Sequence, residues 1–494
     1  MVVDRTFDPI AEFLRSAKAV PDRPALAVDG TEWSYAQLDH LSSQVAAWCN
    51  AHCSEESRVA VHGAKTVWAY VAILGILRSG RSYVPLHPEH PPQRWCTMLE
   101  RAAVRTVLCA SEHTSSVSLP PSFMVVDEHA LQAQAPSAEV RVGPEAYLMF
   151  TSGSTGVPKG VPVGRAQLAA YLRHVARAFP FTSTDRFTQF FALSFDLSVH
   201  DLFVCWGAAA CLCVPSSDAV LRAVSYVREQ RITVWFSVPS QVALMRRMRS
   251  LVPGCMPDLR LAFFCGEALS TEVARNWCHA VPSAASYNLY GPTETTIAIA
   301  VQPLTSTKLD GTDEVVPLGR VFPGHRAQVL HDDTPSLVGE GELLLAGPQV
   351  NAGYLNDEAA TKRCFRSFGP DEVRWYHTGD RVRMDADGVL HFMGRMDDQV
   401  KLNGHRVEPG EVDAVLQPLL NGGNAVTVAV KLDGGLRLVT FIDVPADTGP
   451  MFAALRTRLP EYMVPVRIIP IEAFRYGPHG KLDRKALITL AQNG

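Results

Sequence analysis

No run of about 18 uncharged apolar residues occurs in the chain, and its start, Met1-Val-Val-Asp-Arg-Thr-Phe-Asp8, carries acidic residues and no apolar core of signal-peptide length. A membrane span and a secretory leader are not expected, and the expected location is the cytoplasm. Excess positive charge is missing too. Forty-six Lys and Arg face 50 Asp and Glu, a net charge of −4, so nothing resembles a basic footprint for nucleic acid. The 11 cysteines are odd in number and scattered, and no His/Cys cluster has zinc spacing. The closest pair, Cys211 and Cys213, lies in the apolar run Ala210-Cys-Leu-Cys-Val214, which reads as buried thiols in a reducing compartment. Internal repeats, heptads and low-complexity segments are also lacking.

What is present is length and alternation. A chain of 494 residues exceeds what one hydrophobic core usually supports, so two or more unequal domains are expected. Strand-like and helix-like stretches alternate through the first 300 residues: Pro24–Val28, a helix capped by Ser34, Arg58–His62, Thr66–Ser79, Tyr83–Pro88, Pro92–Arg101 and Thr106–Cys109. The pattern continues with Ala146–Phe150, Gln167–Phe179, Phe187–Phe191, Val199–Ala208, Cys211–Val214, 218–229, Thr233–Phe236, 239–249 and Leu259–Phe264. Such alternation predicts an α/β fold of mostly parallel sheet with helices on both faces, ligands binding beyond the carboxyl ends of the strands. From 317 to 393 short alternating runs between Gly, Pro and Asp predict a small antiparallel, barrel-like subdomain. The last hundred residues predict a compact α+β unit, with a helix at Glu408–Leu420 and strands at Ala425–Val430 and Leu436–Ile442.

One stretch stands out. Tyr147-Leu-Met-Phe-Thr-Ser-Gly-Ser-Thr-Gly-Val-Pro-Lys-Gly160 passes from an apolar strand into hydroxyls, glycines and a lysine. Glycines admit backbone N–H groups to an anion, Thr151, Ser152, Ser154 and Thr155 add donors, and Lys159 adds charge. The spacing is not that of a Walker A loop, because Lys159 follows Pro158 rather than glycine. By itself the stretch is equally a solvated turn after a buried strand.

Five further segments, in order, remove that ambiguity: Tyr290-Gly-Pro-Thr-Glu-Thr-Thr296, Tyr376-His-Thr-Gly-Asp380, Gly394-Arg-Met-Asp-Asp-Gln-Val-Lys-Leu-Asn-Gly-His-Arg406, Leu459-Pro-Glu-Tyr-Met-Val-Pro465 and Gly480-Lys-Leu-Asp-Arg-Lys-Ala-Leu487. Together they resemble the adenylate-forming superfamily, which includes nonribosomal peptide synthetase adenylation domains, acyl-CoA synthetases and firefly luciferase. The resemblance implies a large N-terminal domain of layered mixed sheets (1–396) and a small mobile C-terminal domain (397–494) that swings about a hinge at Asp397. It also implies two half-reactions. A carboxylate attacks the α-phosphate of ATP, with Mg²⁺, to give an acyl-adenylate and pyrophosphate; a thiol then displaces AMP.

By position, the resemblance implies that Thr151, Ser152, Gly153, Ser154, Thr155, Gly156 and Lys159 grip the phosphates, and that Gly266, Glu267, Ala268, Asn288, Tyr290 and Gly291 receive the adenine. Asp380 and Arg395 are the implied ribose contacts, Thr293 and Glu294 the phosphate and Mg²⁺ contacts, Lys481 the catalytic lysine, and Lys401 with Gly404 part of the thiolation-state site. His479 departs from the asparagine common in the tail motif.

In Phe195-Asp-Leu-Ser-Val-His-Asp-Leu202, Asp196 stands where amino-acid-activating members place the partner of the substrate ammonium. The remaining pocket is read as Leu197, His200, Phe236, Phe263, Cys265, Leu289, Ile297, Ala298 and Lys481. An apolar pocket crowded by two phenylalanines predicts a small, mostly aliphatic amino acid, with L-proline favoured and alanine, serine or glycine as alternatives; an acyl-CoA ligase is the other reading. The sequence resembles prolyl-AMP ligases and D-alanine–carrier-protein ligases. It shows no second domain with a phosphopantetheine attachment motif, so a free-standing enzyme working on a separate carrier protein is expected.

Overall fold

Ser34 begins the first long helix as its residue type predicts. Its hydroxyl accepts from the Gln37 N–H while the Gln37 side chain accepts from the Ser34 N–H, and this reciprocal cap starts the helix Tyr35–His52. The computed structural model describes residues 7–136, 139–153, 156–305, 314–368, 373–402, 404–420, 422–432, 435–475 and 482–493. These fall into two units. The first comprises 1–87, 102–149 and 161–396; the second comprises 88–101, 150–160 and 397–494.

The first unit is built on three sheets. A nine-stranded sheet runs in the order Arg320–Val321, Ala300–Leu304, Ala285–Tyr290, Leu261–Phe264, Val234–Ser237, Arg186–Thr188, Cys211–Val214, Pro24–Val28, Thr31–Ser34. Its six central strands are parallel and its outer pairs antiparallel. Both faces are buried, which explains the nearly continuous apolar strands. Alternation sends Leu26, Phe236 and Phe263 into one core and Ala27, Trp235 and Phe264 into the other. A second sheet takes the order Met124–Val126, Thr106–Leu108, Arg58–His62, Ser82–Leu86, Glu145–Thr151, Lys159–Gly164. Inside it Arg58 grips Glu145 with two N–H groups at 2.7 Å each, and the Ser82 hydroxyl adds a third donor at 2.6 Å.

The third sheet curls into a half-barrel. Its order is Thr334–Ser336, Arg326–His331, Gly339–Ala346, Val373–Met384, Phe365–Phe368, and Leu390–Arg395 also pairs with Val373–Met384. Register shifts between Glu342 and Leu344 and between Arg381 and Val382 break the ladder beside Asp380. Such bulges re-aim side chains.

Within the second unit, Ala425–Leu432, Gly435–Ile442 and Arg467–Pro470 form a sheet backed by the helices Pro409–Leu416 and Arg484–Asn493. The hairpin Val400–Leu402/His405–Val407 turns at Gly404, whose φ of 84° favours glycine.

Several element bounds differ from the sequence expectation for identifiable reasons. The helix expected from Val199 begins at Asp196, whose carboxylate suits the positive end of the helix dipole. The strand expected to reach Phe191 stops at Thr188, because the Gln189 side chain turns back to donate to the Phe191 carbonyl at 2.7 Å. The helix expected over 218–229 breaks at Arg222, where ψ is 39°. All 11 cysteines are free thiols, and among the described residues no helix is long and apolar enough to cross a membrane.

Candidate active site

Asp380 and Arg395 face one another across adjacent strands, and the Arg395 guanidinium donates to Asp380 Oδ1 at 2.6 Å. The Tyr290 hydroxyl donates to Asp380 Oδ2, and the Asp380 N–H to Thr378 Oγ1 at 3.0 Å. Burial, and next the Asp380 charge, push the Tyr290 phenol well above its ordinary range. Tyr290 is buried in a core cluster that includes Ile299, Leu318 and Val329. Beside this pair, Glu342 accepts from His377 Nδ1 at 2.9 Å and from the Gly379 N–H at 3.0 Å. Burial works to raise the Glu342 carboxyl, and those two donors outweigh it and hold it below the usual range.

Glu294 sits in the turn Thr293–Thr295, 1% exposed, with the Tyr354 hydroxyl donating to its Oε1 at 2.8 Å. The next residues carry positive φ, 61° at Thr296 and 70° at Ile297, a conformation costly for β-branched side chains. Gln349 and Asn351 hold that backbone. Gln349 Nε2 donates to the carbonyls of Thr295, Thr296 and Ala298, and Asn351 Nδ2 donates to that of Thr293. Gly291 is needed for close approach, since a Cβ there would lie 2.6 Å from Ala298 Cα. Gln349, Asn351 and Tyr354 were not anticipated. Their signal is Gln349-Val-Asn-Ala-Gly-Tyr354, where polar side chains follow directly on a buried strand.

The expected adenine receivers divide. Asn288 donates from Nδ2 to the Pro317 carbonyl at 3.0 Å, while its Oδ1 is buried with no hydrogen-bond partner among the described residues. A buried acceptor of this kind suits an exocyclic amine. Gly266 has φ of 91°, with Leu197 and Val238 packed where a Cβ would be. Glu267 has its carboxylate engaged at the start of the helix Pro239–Arg247, accepting from the Ser240 N–H at 2.8 Å.

The expected substrate residues gather around the helix Asp196–Gly207. Asp196 lies in its first turn, 8% exposed. The buried phenols of Tyr83, Tyr147 and Tyr171 are pushed up first by burial and then by the Asp196 charge, directly or among the next causes. One turn on, His200 is fully buried, with its ring centroid 4.7 Å from that of Phe236 and 5.6 Å from that of Phe263. The Tyr171 hydroxyl and His200 Nδ1 are 2.6 Å apart, whereas His200 Nε2 has no hydrogen-bond partner among the described residues. Burial pushes the imidazole down to about 3, so it is neutral at physiological pH. Leu197, Cys265, Leu289, Ile297 and Ala298 are buried in the same core cluster as Phe236 and Phe263.

In the second unit, the hydroxyl–glycine loop packs against the helix Pro409–Leu416 and the hairpin before it. Ser152 Oγ donates to the Arg406 carbonyl at 2.8 Å, and the Gly153 N–H donates to Glu411 Oε2 at 3.2 Å. Arg94 donates to Glu411 Oε1 at 2.6 Å, and this ion pair is almost wholly buried. A Cβ on Gly153 would lie 2.1 Å from the Val157 carbonyl oxygen, and one on Gly156 2.8 Å from Ala414 Cβ. Thr151 ends a strand and Lys159 begins one; Lys401 lies in the hairpin, and Asp397 Oδ1 accepts from the Gln399 N–H at 3.3 Å. Ser154, Thr155, His479 and Lys481 lie outside the described residues.

No group of three His, Cys, Asp or Glu able to hold a metal occurs among the described residues. One carboxylate, Glu294, with Oε1 engaged by Tyr354, fits Mg²⁺ held mainly by phosphates and water.

Residues 13–355 match the family described as AMP-binding enzyme. Syringomycin synthase SyrB1 of Pseudomonas syringae pv. syringae is 32% identical over 96% of this chain and 80% of that protein. A D-alanine--D-alanyl carrier protein ligase of Listeria welshimeri is 29% identical over 95% of this chain and 96% of its own. The chain spans only 3% to 19% of several longer relatives, nonribosomal peptide synthetases and plipastatin synthase subunits among them. Among solved structures, the Vibrio cholerae adenylation domain AlmE in complex with glycyl-adenosine-5'-phosphate is similar with a TM-score of 0.86, at 28% identity, over 100% of this chain and 99% of that one.

Proposed function

The chain belongs to the AMP-binding enzyme family of AMP-forming ligases, and on that premise we propose that it activates a small amino acid as its adenylate and passes the aminoacyl group to a carrier-protein thiol. The observation that carries this reading is Asp196, a carboxylate buried in the first turn of a helix against aromatic side chains. An α-ammonium group is the charge complement for such a carboxylate, and an acyl chain offers none. The relatives support the class, through glycyl-adenosine-5'-phosphate bound in one and a D-alanyl carrier protein as the partner of another.

In the first half-reaction, an oxygen of the amino acid carboxylate forms a bond to the α-phosphorus of ATP, and the bond to the bridging oxygen of pyrophosphate breaks. Asp196 binds the ammonium group and so orients the carboxylate. Asp380 and Arg395 take the ribose hydroxyls, and Asn288 the adenine amine. The loop Thr151–Lys159, joined by Thr293, holds the phosphates, and Glu294 would hold Mg²⁺, which supplies charge neutralisation on the leaving pyrophosphate. Lys481 donates to the oxygens at the reacting centre. In the second half-reaction a carrier thiolate attacks the carbonyl carbon and AMP leaves, with the segment from Asp397 onward repositioned and Lys401 and Gly404 facing the thiol. Positioning and charge suffice for such chemistry without a dedicated general base.

L-Proline is the favoured substrate, and glycine, alanine of either hand and serine are the competitors. From glycine to alanine the side chain grows by one carbon and from alanine to proline by two, each worth only about 1–3 kcal/mol in such a pocket, and serine adds a hydroxyl to alanine. Amino-acid-dependent ATP–pyrophosphate exchange across the common amino acids decides the question. Exchange with one or a few small amino acids, lost in Asp196→Ala, is expected. Exchange with none would overturn the reading, and exchange with alanine or glycine but not proline would reassign the substrate.

A further inference from the structure

We propose that Lys65 is a positioning residue for amino-acid recognition: its ammonium group anchors the segment that leads into the helix Asp196–Gly207. The inference rests on the reading of Asp196 as the partner of the substrate ammonium.

Lys65 lies in the turn after the strand Arg58–His62 of the six-stranded sheet, and its Nζ donates to the carbonyls of Gln189 at 3.0 Å and Phe190 at 2.8 Å. Those carbonyls stand just past the strand Arg186–Thr188 of the nine-stranded sheet, so one side chain ties the two sheets together where the substrate helix is delivered. Gln189, fully buried, braces the same turn by donating to the Phe191 carbonyl and accepting from the Tyr70 hydroxyl at 3.2 Å.

Asp201 is fully buried, and neither carboxyl oxygen has a hydrogen-bond partner among the described residues. Burial drives its proton affinity far up, and the Lys65 charge pulls it back. Burying an ammonium group costs desolvation, so packing alone does not call for a lysine here. Geometry supplies a use. Asp196 and His200, four residues apart, share one face, and Asp201 stands about 100° around the axis from His200 and about 140° from Asp196. The carbonyls that Lys65 holds, at Gln189 and Phe190, stand seven and six residues before Asp196, so the ammonium fixes the turn from which Asp196 is presented.

Burial brings the Lys65 ammonium down to about 8, with Asp201 opposing that fall. Asp201 is the titratable group that acts on it; Tyr70, on the helix Val67–Arg78, donates to the Gln189 side chain beside it, its phenol pushed up by burial and then by Asp201. Lys65 is thus charged below pH 8 and neutral above it.

The test is pyrophosphate exchange with the cognate amino acid in wild type, Lys65→Met and Lys65→Arg, with KM for amino acid and ATP measured at pH 7 and pH 9. Lys65→Met is expected to raise the amino acid KM by roughly tenfold at pH 7, the loss of charged hydrogen bonds, with the ATP KM little changed. Lys65→Arg, charged at both pH values, is expected to show a smaller rise in amino acid KM from pH 7 to 9 than wild type; ionisation of the substrate amine is common to both. An unchanged amino acid KM in Lys65→Met, an equal rise in both KM values, or identical pH dependence in wild type and Lys65→Arg would overturn the proposal. If Lys65→Met does not fold, the pH comparison decides. Wild type that exchanges with no amino acid removes the Asp196 reading and this one with it, whereas an active wild type matched by Lys65→Met removes only the role of Lys65.

Discussion

The half-barrel strands and the helix Asp196–Gly207 treat buried polar groups in opposite ways. On the strands, all four carboxylate oxygens of Asp380 and Glu342 accept from fixed protein donors. On the helix, His200 Nε2 and both oxygens of Asp201 are buried without a hydrogen-bond partner among the described residues. A saturated network holds its groups in place before a ligand arrives, which suits an invariant part such as ribose. A region with unmet polar atoms carries a desolvation cost that a matching ligand group can offset and a mismatched one cannot, which is how polar pockets select.

The comparison breaks most visibly at Asp380. Asp380→Ala takes the carboxylate away from the Arg395 guanidinium and the buried Tyr290 hydroxyl, and is expected to destabilise the fold by about 3–5 kcal/mol in urea unfolding and to remove pyrophosphate exchange. A loss of under 1 kcal/mol would show that the network is not pre-set. His200→Phe should cost less, roughly 1–3 kcal/mol, since only the Tyr171 hydroxyl is stranded. Its larger effect should fall on amino acid choice, read as a changed ranking in the exchange assay. Acid titration sharpens this pair. Because His200 is held at about 3 against about 6.5 when unfolded, its contribution is present above pH 6.5 and lost as pH falls towards 3. His200→Phe should flatten that part of the acid unfolding curve. The smallest change is expected for Arg381→Ala, which removes an ion pair from the same half-barrel at 3.1 Å but half exposed; about 0.5 kcal/mol or less is expected. A larger loss would mean that position on the sheet, not burial, governs these charges.

Much of this was legible beforehand because local chemistry announces it. Ser34 with Gln37, the glycines of the hydroxyl loop and the alternation of apolar and polar positions act over a few residues, and the structure places helices and strands accordingly. The clamps were not legible. Gln349, Asn351 and Tyr354 act on a turn 51 to 60 residues earlier, Glu411 reaches Gly153 across 258 positions, and Lys65 reaches Gln189 across 124. Nothing in a stretch of chain distinguishes such a residue from a surface polar group, because its partner is supplied by sheet order alone.

By itself the sequence determined that this is an α/β chain with parallel strands buried on both faces, that a hydroxyl–glycine loop follows one of them, and that its motifs stand in the order of the adenylate-forming superfamily. Those are consequences of hydrophobic period, turn chemistry and residue type, which are local. Only the tertiary structure decided that Asp380 is saturated while Asp201 is not, that His200 packs against Phe236 and Phe263 as a neutral ring, and that Lys65 holds the carbonyls of Gln189 and Phe190. Solvation of a charge depends on everything within a few ångströms, and that neighbourhood exists only after the sheets have packed.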